Sequence, residues 1–179
     1  VSPRFFRPLS IKYDTEFSNE RPCRLVYVSN ISPYKHQWNV IKAVHKVRSL
    51  GRPVTLELIG SPEEGMPMLE KALKKFDPQR KFVFFNGAVP HTILHKSLTD
   101  ADVGIFASSC ENLPNILIEM MAAGLPIACS NMGPMPEVLG DAGEYFNPLS
   151  SEDIAMKIEN LFLSGDLRTE LSAKAIERA

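Results

Sequence analysis

Two hydrophobic periods alternate along this chain. Short runs rich in β-branched and aromatic residues fall at 24–29 (RLVYVS), 54–60 (VTLELIG), 81–87 (KFVFFNG), 102–108 (DVGIFAS), 126–130 (PIACS) and 142–148 (AGEYFNP). Each predicts a strand. Between them the apolar positions recur at helical spacing. Trp38, Ile41, Val44 and Val47 predict a helix over 38–50, and 66–76 reads as an amphipathic helix with lysines outward. A short helix is expected over 91–101, and another begins near Pro114. Pro114 suits a first helical position, Gly124 a C-terminal cap, and Pro126 a stop. Segment 133–141 reads as a turn with a short helix, 150–165 as a helix capped by Ser150 or Ser151, and 166–179 as a last helix.

Strand and helix alternating at this pace predict an α/β fold. The expected architecture is a doubly wound, mostly parallel sheet of about six strands with helices on both faces. The near-continuous apolar run at 102–108 suits a strand covered on both sides. Ligands of such sheets bind beyond the carboxyl ends of the strands. The loops after the first four strands are therefore the places to inspect.

Composition narrows the function classes. The chain has 179 residues, 44% hydrophobic and 23% charged, which suits one globular α/β domain. Its net charge is -1, and its Lys and Arg are spread thinly. Nothing in that balance favours nucleic acid. The cysteines are Cys23, Cys110 and Cys129, an odd number without a Cys-x-x-Cys. A reducing compartment is expected, and neither a disulfide framework nor a zinc site. No apolar run reaches the length of a membrane span. The Pro-rich, partly aromatic start (VSPRFFRPLSIKY) reads as a linker rather than a signal peptide.

A few residues break the patterns. Glu119 interrupts an otherwise apolar helix, on a face shared with Asn115, Ala122 and Ala123. It is either a narrow solvent stripe or a carboxylate with a specified partner. Glu111 precedes that helix, at the carboxyl edge of the sheet. It either complements the helix dipole or faces a ligand. The backbone amides of the helix start can hold an anion, Pro114 removing one donor and Asn115 with its successor remaining. Lys35 and His36 sit where a cation opposes a helix dipole. An anionic ligand would reconcile the two, and so would side chains pointing into water. Gly60 and Gly87 end strands, which serves turns or a close ligand approach. His91 and His95, four apart on a helix, lack a third zinc ligand, so a structural role is expected. Neither a dinucleotide fingerprint nor a P-loop is present.

The segment CENLPNILIEMMAAGLPIACSNMGPMPEVLGDAGEYFNP resembles the donor-binding segment of retaining glycosyltransferases of family 4, the group 1 glycosyl transferases with a GT-B fold. The matching features are Glu111, seven residues and Glu119, then Gly124-Leu125-Pro126, a strand, and the turn Gly133 to Glu137. YVSNISPYKHQWNVIKAV resembles that family's first strand and loop, and FFNGAVPHTILHKSLTDADVGIFASSCEN the elements before the two carboxylates. The resemblance spans nearly the whole chain, but only the C-terminal half of a two-domain enzyme.

It implies a Rossmann-like domain over 21–179, with its last helix cut short, after a 1–20 linker from an N-terminal domain. The implied donor is a nucleotide-diphosphate sugar, and the implied acceptor a glycan or lipid-linked acceptor bound by that other domain. Lys35 and the backbone at Leu113, Asn115 and Ile116 would hold the diphosphate. Glu111 would face the donor sugar, with Lys35 as its catalytic companion. Glu119 would bind the ribose hydroxyls, and Gly87, Ala88 and Val89 would approach the base. No cofactor and no divalent metal is expected. The implied location is the cytoplasm, or the cytoplasmic face of a membrane with peripheral attachment. One departure stands out: the family's usual Gly-Arg pair after strand 1 reads Ser29-Asn30, so Asn30 would bind the donor through hydrogen bonds and a charge of the diphosphate clamp is missing. His36 is a candidate to compensate. A non-catalytic nucleotide-sugar-binding module is the alternative reading.

Overall fold

A computed structural model of the chain describes residues 1–6 and 16–179. Its strands are β1 (Cys23–Val28), β2 (Val54–Ile59), β3 (Val83–Phe85), β4 (Val103–Phe106), β5 (Ile127–Ser130) and β6 (Gly143–Phe146). Its helices are α1 (Gln37–Ser49), α2 (Met66–Phe76), α3 (His91–Asp100), α4 (Asn115–Ala122), α5 (Met135–Leu139), α6 (Ser151–Leu163) and α7 (Gly165–Arg178). The alternation expected from the sequence is borne out. All six strands are parallel, in the order β3-β2-β1-β4-β5-β6.

That order decides where a site can form. From β1 the chain winds outward to β3, then returns to place β4 on the other side of β1, with Leu25 opposite Val103 and Val26 opposite Gly104. The loops after β1 and β4 therefore diverge and leave a crevice between them. β4 and β5 are buried at every residue, as strands covered on both faces must be. Helix α1 packs against α2 and α6, and α4 packs against α5 and α7. Ser150 caps α6 by accepting from the Asp153 amide at 3.1 Å.

Some boundaries differ from the sequence reading. β3 is much shorter than 81–87. The amides of Lys81 and Phe82, just before the strand, donate instead to the Asp77 carboxylate at 2.9–3.0 Å, as does that of Val83, the strand's first residue, at 2.8 Å. Pro114 is the N-cap of α4 and not its first helical residue, with φ -81 and ψ 74. In the segment expected to be a linker, Pro3–Phe5 form a short turn with Phe5 buried against the domain. Residues 7–15 of that segment lie outside the described residues.

Candidate active site

At the carboxyl ends of β1 and β4 lies a cavity of about 440 Å³, within the size range of small-ligand sites. Asn30, Tyr34 and Lys35 line it from the β1 side, and Gly60 and Ser61 from the end of β2. Ala88, Val89 and Leu94 close the β3–α3 side, while Phe106, Glu111 and the turn Leu113 to Ile116 close the β4 side. Lys35 and Glu111 are the only charged residues among those lining it.

Local folding places each of them. The chain leaves β1 through Ser29 and Asn30 and forms the 3-10 turn Pro33–Lys35, and His36 then adopts a left-handed conformation at φ 52. This turn is anchored from below, because the Tyr27 hydroxyl donates to the Lys35 carbonyl at 2.7 Å. Tyr27 is fully buried, and burial pushes its phenol pKa up, so it remains a donor. Lys35 forms an ion pair with Glu111, and its ammonium lies 5.1 Å from the Tyr34 ring centroid and 5.7 Å from that of Phe106. The side chains are only 12% and 15% exposed, so solvent screens the pair weakly. The cation before α1 is thus balanced by a carboxylate that the topology brings from 76 residues away.

The start of α4 has no side-chain cap. The Asn115 amide, expected to be free for a ligand, donates to the Leu113 carbonyl at 2.9 Å in a tight turn. The uncapped donors of that helix start are therefore those of Ile116 and Leu117.

Two other predicted residues lie elsewhere. Glu119 and Gly87 are not among the residues lining the cavity. Glu119 is not a solvent stripe: it is 8% exposed, and its Oε1 lies 2.7 Å from His91 Nε2. Its Oε2 is buried with no hydrogen-bond partner. Gly87, at φ 68, accepts at its carbonyl from the Gly60 amide at 2.9 Å. Asn30 is already committed. Its Nδ2 donates to Glu63 at 2.7 Å, and its Oδ1 accepts from the Ser61 amide at 3.2 Å. Ser32 donates to the same Glu63 carboxylate. His36 does not supply the missing charge. Its Nε2 is 2.8 Å from Ser109 Oγ, it does not line the cavity, and burial lowers its pKa.

Sequence reasoning missed Tyr34, Ser61, Leu94 and Phe106 as lining residues, and Glu63 as the partner of Asn30. Tyr34 stands beside Lys35 in the same turn and Phe106 ends β4, but Ser61 and Leu94 come to the cavity, and Glu63 to Asn30, from other elements, which no local pattern marks. Among the described residues no group of three or more His, Cys, Asp or Glu could hold a metal ion. No helix among them is long and apolar enough to cross a membrane.

With this geometry in place, comparisons with known proteins are informative. Residues 13–178 match the family described as glycosyl transferases group 1. The sulfoquinovosyl transferase SQD2 of Arabidopsis thaliana is 27% identical over 143 residues, covering 72% of this chain and 28% of that protein. The MMP alpha-(1->4)-mannosyltransferase of Mycolicibacterium hassiacum is 27% identical over 159 residues, covering 86% of this chain and 38% of that one. Among solved structures, Anabaena Alr3699/HepE in complex with UDP-glucose superimposes with a TM-score of 0.79 at 19% identity. The overlap covers 89% of this chain and 44% of that one. The chain spans less than half the length of each of these three proteins.

Proposed function

This chain belongs to the glycosyl transferases group 1 family, and on that footing we propose that its cavity is the donor site of a sugar transferase. The observation that carries the proposal is the Lys35–Glu111 pair in the β1/β4 crevice, facing an uncapped helix start. Lys35 and the first amides of α4 would hold a nucleotide diphosphate. They would stabilise the charge that grows on it as the sugar leaves, which is electrostatic catalysis by groups already in place. Glu111 would receive hydroxyls of the sugar. Glu119 would receive those of the ribose, and the Ala88–Val89 segment would flank the base. HepE was solved with UDP and UDP-glucose, which supports a nucleotide-sugar donor for this chain too.

The finer features belong to the same proposal: membership of family 4, retention at the anomeric carbon, a glycan or lipid-linked acceptor, and polysaccharide biosynthesis as the role. Transfer would need a second domain to bring the acceptor and exclude water. The proposed chemistry calls for no divalent metal. Three free cysteines support a reducing compartment such as the cytoplasm or its membrane face. A second reading, a binding module without transfer, is favoured by Asn30, which is held by Glu63 and Ser61 and brings no charge.

The test is a titration of the chain with UDP, GDP and ADP by ligand-observed NMR. Binding of at least one in the micromolar to low millimolar range is expected. Silence from all three at millimolar concentration overturns the donor-site reading.

A further inference from the structure

We propose that His91 is a positioning residue for Glu119, holding its carboxylate in place to receive the ribose of the nucleotide. The inference rests on the donor-site reading above and adds a residue to it. A carboxylate only accepts, so the 2.7 Å contact requires His91 Nε2 to carry the hydrogen and donate it to Glu119 Oε1. Glu119 lies on a helix whose neighbours Leu117, Met120 and Met121 are all fully buried. Among the described residues, His91 is the donor that the carboxylate has. Its Oε2 is buried and unpartnered. Such an acceptor is costly to leave unmade, and a ligand hydroxyl donating to it would remove that cost.

His91 is itself held. Pro90 is the N-cap of α3 and sets His91 as its first residue. The imidazole packs against the buried Phe5 ring, with centroids 5.3 Å apart and planes tilted by 48°. The side chain is 61% exposed, so its other edge reaches solvent at the rim of the domain. A residue serving only to neutralise a buried acid would affect every ligand of the fold alike. A positioning residue affects only ligands that touch Glu119.

The experiment uses UDP, 2′,3′-dideoxy-UDP and inorganic pyrophosphate with the wild-type chain, His91→Ala and His91→Gln. Gln places an amide donor near the imidazole Nε2. His91→Ala is expected to weaken UDP about tenfold, the scale of one charge-assisted hydrogen bond. Pyrophosphate and dideoxy-UDP should change less than about twofold, and His91→Gln should regain most of the UDP affinity. Unchanged UDP affinity in His91→Ala, or equal losses for UDP and pyrophosphate, overturns the proposal. If His91→Ala does not fold, nitrogen NMR of the wild-type imidazole decides. Its Nε2 signal should move on adding UDP and stay on adding pyrophosphate, and equal movement with both ligands overturns the assignment. A wild-type chain that binds no nucleotide in the first arm overturns the donor-site reading, and this inference with it.

Discussion

Removing a carboxylate from this cavity should strengthen binding of the anionic ligand. In the free protein Lys35 is paired with Glu111, and among the described residues these are the only charges lining the cavity. A diphosphate must therefore draw Lys35 away from a partner and then sit beside that partner's negative charge. Glu111→Gln keeps the size and an acceptor oxygen but removes the charge. A phosphate and a carboxylate that share one ammonium lie ~7 Å apart. At an effective dielectric constant of about 20 their repulsion is about 2 kcal/mol, or roughly 30-fold in affinity. The partial exposure of both side chains reduces this to about tenfold at low salt. Isothermal titration with pyrophosphate and with UDP should show Glu111→Gln binding about tenfold tighter at low salt, with the gain shrinking as salt is added. Thermal melting controls for folding, and Lys35→Met should act in the opposite sense. If Glu111→Gln binds pyrophosphate no tighter than wild type, Lys35 and Glu111 do not share the diphosphate site and the electrostatic reasoning fails.

Two further outcomes follow from local geometry. A Cβ at Gly60 would fall inside contact distance of the Ser29 carbonyl, where β1 and β2 end side by side. Gly60→Ala should cost about 3 kcal/mol or more, and lower Tm by about 6–12 °C in a chain of this length. A melt within a degree of wild type would show that this edge of the cavity gives way easily. The second outcome concerns pH. Burial lowers the His36 pKa from its ordinary 6.5, so below that pH the unfolded chain binds the proton more readily than the folded one. The stability His36 allows is complete above pH 6.5 and declines as the pH falls below it. In His36→Asn, which tolerates the left-handed backbone, urea midpoints between about pH 7 and pH 5 should decline less steeply. Identical slopes in both proteins would remove His36 as the cause.

Some of this architecture is written locally, and the physical reason is periodicity. A two-residue or 3.6-residue repeat of apolar positions states which local conformation can bury them. That is why the strands around Val26, Leu56, Ile105 and Ala128, and the helices around Val44 and Ile158, were legible. A serine cap at 150 or 151 was legible because such a side chain acts three residues away, and the structure gives the role to Ser150. Where a neighbouring loop carboxylate takes up backbone amides, as Asp77 does those of Lys81 and Phe82 before Val83, the predicted strand was too long.

By itself, then, the sequence determined the α/β alternation and the doubly wound sheet, and marked the residues proposed for the donor site. The pairing of those residues was decided only in the tertiary structure. Lys35 meets Glu111 across 76 positions, Asn30 meets Glu63 across 33, and Glu119 meets His91 across 28. No periodic signal spans such separations. Partner choice is set where the return crossover puts β4 beside β1, and by backbone turns such as the left-handed His36, which carries no glycine to announce it. The sequence named the charges of the cavity. The fold decided that those two, Lys35 and Glu111, pair with each other, and that Glu119, outside the cavity lining, is held by a histidine.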